Sequence, residues 1–153
     1  MTTTTHKRSV HIDAPPEAVF DYIQAPEHFY EAMAMTQKHP EQGASSLLTG
    51  VTRTPDGAVS SYAWKAGELF GFHLGGVMTR EEFVANERIV DHSSTGPVWT
   101  FSLEPDPAGT TLSLGYEYST KVPLADKVLD RVGWKGDQDL DVMLATMKKA
   151  IET

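Results

Sequence analysis

The sequence predicts an α+β fold in which a curved, seven-stranded antiparallel sheet holds a long C-terminal helix, with two short helices after the first strand. Three observations point there. Apolar residues alternate between turn signals through the middle of the chain. Two proline-led helix starts follow the first alternating segment. The last apolar residues recur at helical spacing.

Residues 7–13 alternate, with Val10 and Ile12 on one face and Ser9, His11 and Asp13 on the other. Ala14-Pro15-Pro16-Glu17 then opens a helix, because proline fits a first turn that needs no amide hydrogen and Glu17 suits the positive helix end. Val19, Phe20 and Ile23 form its apolar face. Ala25-Pro26-Glu27 repeats the signal, and the second helix carries Phe29, Tyr30 and Met33 toward the same core. After a loop at 39–43, residues 47–54 read as a strand and Pro55-Asp56-Gly57 as a turn. The return strand places Tyr62 and Trp64 on one face, and Gly67-Glu68 reads as the next turn. Residues 69–84 are too long for a flat strand, so Gly75-Gly76 predicts a bulge or sharp bend.

Asn86-Glu87 punctuates, residues 88–94 form a weaker strand, and Gly96-Pro97 turns the chain. Trp99, Phe101 and Leu103 then alternate with polar residues. Beyond the turn at 105–109, Leu112, Leu114, Tyr116 and Tyr118 alternate on the way back, which makes this the most secure hairpin. Leu140, Met143, Leu144, Met147 and Ile151 form one stripe of a helix, with Asp137, Asp139 and Asp141 at its positive end and Lys148 and Lys149 at its negative end. Between hairpin and helix, Leu124, Val128, Leu129 and Val132 make a short amphipathic piece. It is bounded by Pro123 and by Gly133 and Gly136, and is expected to act as a lid reported on by Trp134, the alternative being a permanently packed first turn of the final helix.

The 153 residues suffice for one domain that buries about 70% of the surface its unfolded chain exposes. Residues 1–6, mostly threonine, are expected to be disordered, with a single ligand-binding domain over 7–153. The absence of cysteine rules out disulfides and thiol chemistry. A net charge of −8 with no basic stripe excludes nucleic acid as a partner, and no run approaches the roughly 18 apolar residues that span a bilayer. No apolar signal-peptide core follows the first residues, so a cytoplasmic protein without stable membrane insertion is expected. No zinc-hydrolase histidine pair, nucleophilic serine elbow, phosphate loop or dinucleotide fingerprint is present, and no metal or cofactor is expected. His28 and Glu31, three apart on a helix, are too few to hold a metal and read as a surface salt bridge.

The stretch Val10-His11-Ile12-Asp13-Ala14-Pro15-Pro16-Glu17-Ala18-Val19-Phe20, the hairpin at 99–118 and the helix end at 144–152 resemble, in order, the START-like superfamily. This is the SRPBCC group of polyketide cyclase-dehydrases and lipid-transfer proteins, also called birch-pollen-allergen-like or helix-grip. The resemblance implies a cavity between sheet and C-terminal helix that accepts a hydrophobic molecule, and the partner expected is such a small molecule, with a homodimer left open. Members of one fold differ in function. The leading expectation is binding or transport of a lipid, polyketide or isoprenoid-like ligand. The alternatives are a polyketide aromatase/cyclase, acting as a lyase or isomerase of dehydratase type, and a protein-binding chaperone or ATPase co-factor.

The residues expected to line the cavity are Phe29, Met33, Tyr62, Trp64, Phe72, Leu74, Phe83, Trp99, Phe101, Leu114, Tyr116, Met143 and Met147. Buried phenols of Tyr62 and Tyr116 could donate to a ligand carbonyl, although structural pairing is the plainer explanation of core tyrosines. Arg80 and Glu82 are the remaining catalytic candidates. Because a bulge shifts parity, either Arg80 and Glu82 or Glu81 faces inward, and a solvated strand edge is the plainer reading of all three.

Overall fold

The computed structural model describes residues 3–36, 43, 47–69, 72–119 and 136–153. Strand β1 (Thr3–Ile12) leads into helices α1 (Pro16–Ile23) and α2 (Pro26–Ala34). Strands β2 (Leu48–Arg53), β3 (Val59–Leu69), β4 (Phe72–Val84), β5 (Arg88–Ser93), β6 (Val98–Asp106) and β7 (Gly109–Ser119) follow, and helix α3 (Asp137–Glu152) ends the chain. The strands form one antiparallel sheet in the order β1-β7-β6-β5-β4-β3-β2, so sequential neighbours pair and β1 closes onto β7. This is the α+β, helix-grip arrangement expected from the sequence.

Both short helices begin as their prolines dictate. Pro15 and Ala25 take extended cap conformations, and Pro16 and Pro26 occupy the first turn. α1 buries Val19, Phe20 and Ile23, and α2 buries Phe29 and Tyr30. From α3, Leu140, Met143, Leu144 and Met147 are each no more than 1% exposed and Ile151 packs at the edge, as the stripe requires.

Polar contacts hold α3 alongside β1, both elements running the same way. His6 meets Asp137 at 2.9 Å, and Arg8 donates to Asp141 at 2.9 Å. Lys148 donates to the His11 carbonyl at 2.7 Å, and the Asp13 amide donates to Glu152 at 2.8 Å. The helix rises about 22 Å between the first and last of these contacts. The strand spans about 23 Å between its own. Two elements of different rise thus stay in step from end to end.

The structure corrects three expectations of local structure. Residues 3–6 are not disordered: Thr3–His6 extend β1 and pair with Tyr116–Ser119, because a threonine run is a good strand former when a partner edge is available. Gly67-Glu68 is not a turn: β3 continues to Leu69, with a register irregularity between Lys65 and Glu68 where one extra residue is absorbed. Gly75-Gly76 is not where the bulge falls, since both pair regularly with Lys65 and Trp64. Their lack of side chains serves close approach instead. A Cβ on Gly75 would lie 2.6 Å from the Trp64 carbonyl oxygen, and one on Gly76 would lie 3.0 Å from Cζ2 of the Trp64 indole. The expected lid over 123–136 falls, up to residue 135, outside the described residues, as does Trp134. No helix among the described residues is long and apolar enough to cross a membrane.

Candidate functional site

Strand parity and register place one row of side chains across five strands on the face toward the helices. His6 of β1 opposes Tyr116 of β7, Tyr116 opposes Trp99, Trp99 opposes Asp91, and Asp91 opposes Arg80. Beside it runs a second row, Tyr62 opposite Met78 opposite Ser93. Helix α2 lays aromatic rings on these rows. Phe29 meets Trp99 edge-on at 5.2 Å and Phe101 at 6.0 Å, and Tyr30 meets Tyr62 edge-on at 5.9 Å. Trp99 and Tyr116 lie 4.9 Å apart, and Tyr116 stacks on Tyr118 at 6.0 Å. Such edge-on and offset pairs are the preferred geometry of aromatic quadrupoles.

A charged group sits inside this aromatic wall. Arg80 donates from Nε to Asp91 Oδ1 at 3.0 Å, from Nη2 to Oδ2 at 3.2 Å, and from Nη1 to the Gln24 carbonyl at 2.9 Å. Gln24 is the C-cap of α1, so the guanidinium also satisfies the negative end of that helix. The Tyr62 hydroxyl donates to Asp91 Oδ2. The side chains of Arg80 and Asp91 are only 5% and 4% exposed. Arg80 also lies over the rings of Tyr62 and Phe83, at 5.9 and 5.8 Å. Burial, and after it the neighbouring Asp91 carboxylate, pushes the Tyr62 phenol well above its usual range, and the same two causes push up Tyr30. Both phenols are therefore neutral at physiological pH, and the Tyr62 proton is committed to Asp91.

Trp64 completes the wall on the β2 side. Its indole lies over Gly76, and its Nε1–H is buried without a hydrogen-bond partner. Met143 and Met147 of α3 are wholly buried.

The expected site residues separate accordingly. Phe29, Tyr62, Phe101, Leu114, Tyr116, Met143 and Met147 are buried on the inner side, while Met33, Trp64 and Trp99 are partly buried and packed against the core. Phe83 stands at the rim, 45% exposed, with its ring 5.0 Å from Phe20. The side chains of Phe72 and Leu74 lie outside the described residues.

Of Arg80, Glu81 and Glu82, whose parity the sequence leaves open, Arg80 alone turns inward. Between Arg80 and Glu82 the register with β5 skips a residue, so Arg80 faces Asp91 while Glu82 turns out to meet Arg88 at 3.5 Å. Glu81 also faces out, 3.2 Å from His92. His28 is held by the Tyr22 carbonyl, 2.6 Å from Nδ1, and stacks on the Tyr22 ring at 3.9 Å. Among the described residues no three His, Asp or Glu side chains group to hold a metal.

Asp91 and Tyr30 are the members that sequence reasoning missed. Ile89, Asp91 and Ser93 share one parity, so an acid on the apolar face was the available signal. A separate hollow of about 370 Å³ is lined largely by residues of the opposite face of the sheet, such as Lys7, Arg88, Thr100 and Glu117, and also by His6 and Tyr116.

Residues 3–152 match the model of a family described as polyketide cyclase / dehydrase and lipid transport. Among solved structures, a START superfamily protein from Mycobacterium smegmatis is similar at 15% identity and a TM-score of 0.62, over 97% of each chain. A protein from Deinococcus radiodurans aligns over 97% of this chain and 98% of its own, at 15% identity and a TM-score of 0.64. One from Rhizobium leguminosarum aligns over 99% and 95%, at 20% identity and a TM-score of 0.62. At these identities the likeness is one of fold. No curated protein shows significant similarity to the sequence.

Proposed function

Because the chain belongs to the polyketide cyclase / dehydrase and lipid transport family, we propose that it binds a hydrophobic small molecule of lipid, polyketide or isoprenoid-like character between the inner face of the sheet and its helices. The observation that carries this reading is the composition of that face. Aromatic rings of Phe29, Trp64, Trp99 and Tyr116 and the thioethers of Met143 and Met147 belong to one core cluster on that side of the sheet, and the buried Arg80–Asp91 pair lies on the same face. Ligand sites are commonly built this way, with apolar walls for affinity and a few fixed polar groups for orientation. Methionine suits such a wall because its unbranched chain adapts to shape. A well-packed apolar pair is often as stable as a buried ion pair, or more so, so the Arg80–Asp91 pair fixes a polar point in this wall at some cost in stability.

Native mass spectrometry of freshly purified protein, followed by solvent extraction, tests the reading. A bound apolar molecule, or saturable uptake of a hydrophobic dye below the melting temperature, supports it. Absence of both across a panel of lipids and aromatic ketones removes it.

A cyclase is the second reading, favoured by one observation: the Tyr62 hydroxyl rests on a carboxylate that is itself bound to a cation, a proton-bearing relay. The upward displacement of the Tyr62 phenol makes it a poor proton donor near neutrality. Carriage of the ligand therefore ranks first.

A further inference from the structure

Resting on the binding reading above, we propose that the ligand is electrically neutral and carries a hydrogen-bond acceptor, such as a ketone or ester oxygen, that is met by the indole N–H of Trp64. Indole nitrogen is a donor only, and a buried donor left unpaired costs more than an ordinary hydrogen bond returns. Trp64 Nε1 is such a donor. Its orientation is held by packing, since the space a Cβ on Gly76 would take is filled by the indole, 3.0 Å from Cζ2 and 3.2 Å from Cε2, the atom that carries Nε1. Trp64 follows Tyr62 on the same face of β3, so its N–H belongs to the same wall as the aromatic rows.

Charge decides the rest. An anionic headgroup needs a cation, and Arg80 on this face and Arg8 and Lys148 at its β1–α3 edge are already matched. Arg80 is held by both oxygens of Asp91, Arg8 by Asp141 at 2.9 Å, and Lys148 by Glu152 at 2.7 Å. The Tyr62 O–H is donated to Asp91 and is not available to a ligand. The net charge of −8 further opposes an anion. A carboxylate entering this face would lose its hydration, and the buried cation there, Arg80, is already held by Asp91. A neutral carbonyl would satisfy the orphaned indole N–H of Trp64.

Three chain-matched probes test this: methyl dodecanoate, dodecanoate and an alkane of the same length, each titrated into the full chain at about pH 8, where a carboxylate of ordinary pKa is ionised. The ester is expected to bind about tenfold or more tightly than the acid and to shift the Trp64 indole N–H resonance, assigned from its disappearance in Trp64→Phe. Trp64→Phe should weaken the ester about fivefold more than it weakens the alkane, and that ratio cancels any general loss of packing. Equal affinity for ester and acid, or an ester-bound protein whose Trp64 N–H does not move, overturns the anchor while leaving hydrophobic binding intact. If none of the three probes saturates, the binding reading falls and the anchor falls with it.

Discussion

Replacing Asp91 by alanine is the most informative single perturbation of this molecule. It leaves the Arg80 guanidinium, on a side chain 5% exposed, without its counter-charge, and leaves the Tyr62 hydroxyl, on a residue 2% exposed, without its acceptor. Breaking a buried ion pair from one side costs about 3–5 kcal/mol, because the surviving charge stays in the low-dielectric interior. A domain of this size holds only about 5–15 kcal/mol in total. At roughly 2–4 °C per kcal/mol, the melting temperature should fall by about 6–20 °C. Urea denaturation should show a lower midpoint with an unchanged slope. Replacing both partners by apolar residues, Arg80→Met with Asp91→Leu, removes the stranded charge and should recover most of that loss. A single Asp91→Ala variant within about 1 kcal/mol of the parent, or a double variant less stable than the single one, would refute the reasoning that the pair is buried and mutually dependent.

Gly76→Ala should cost about 1–3 kcal/mol by overpacking and displace Trp64, read as a change in tryptophan emission, since the new Cβ meets Ser94 Oγ at 2.7 Å as well as the indole. Met143→Ala should cost about 2–5 kcal/mol in denaturant titration, because Met143 is wholly buried beneath the sheet. His11 lies 2.7 Å from each of two carboxylates, Asp106 and Asp13, and those hydrogen bonds, that to Asp106 first, raise its pKa. The stabilisation from this bridge is therefore fully present below the unfolded value of about 6.5 and is lost as pH rises through the higher folded value. Asp106 is shifted the other way, its pKa lowered first by His11, so its contribution is present above the unfolded carboxylate value and is lost as pH falls through the lower folded one. Proton NMR of the His11 ring should show a titration above the free-histidine midpoint, returning to it in Asp106→Asn combined with Asp13→Asn.

Much of this architecture was legible because its signals are local. The alternation of Trp99, Phe101 and Leu103 against Leu112, Leu114 and Tyr116 is realised as direct cross-strand pairs, and the stripe from Leu140 to Met147 is the buried face of α3. Prolines mark both short helices where they occur. The polar centre was half legible. Arg80 stood out as a charge in a long apolar strand, yet its partner did not, because Glu81 and Glu82 are both plausible neighbours in sequence and nothing local marks which residue the register skips. Asp91 becomes the partner only through pairing across the turn at Asn86, a non-local fact. Gly67 misled in the opposite direction: a glycine read as a turn lies within a strand whose register shifts nearby, and residue chemistry alone does not separate the two.

The central claim, that the face between sheet and helices receives an apolar ligand, is tested most directly by mapping a saturating hydrophobic probe with amide, indole and methionine-methyl resonances of the full chain. The account predicts that the perturbed signals gather on Trp64, Trp99, Tyr116, Met143 and Met147 and spare the outward residues Lys7, Thr100 and Glu117. Perturbations confined to the outer face, or spread over the exposed β4 residues Val77 and Val84 with the inner methionines unmoved, would contradict it.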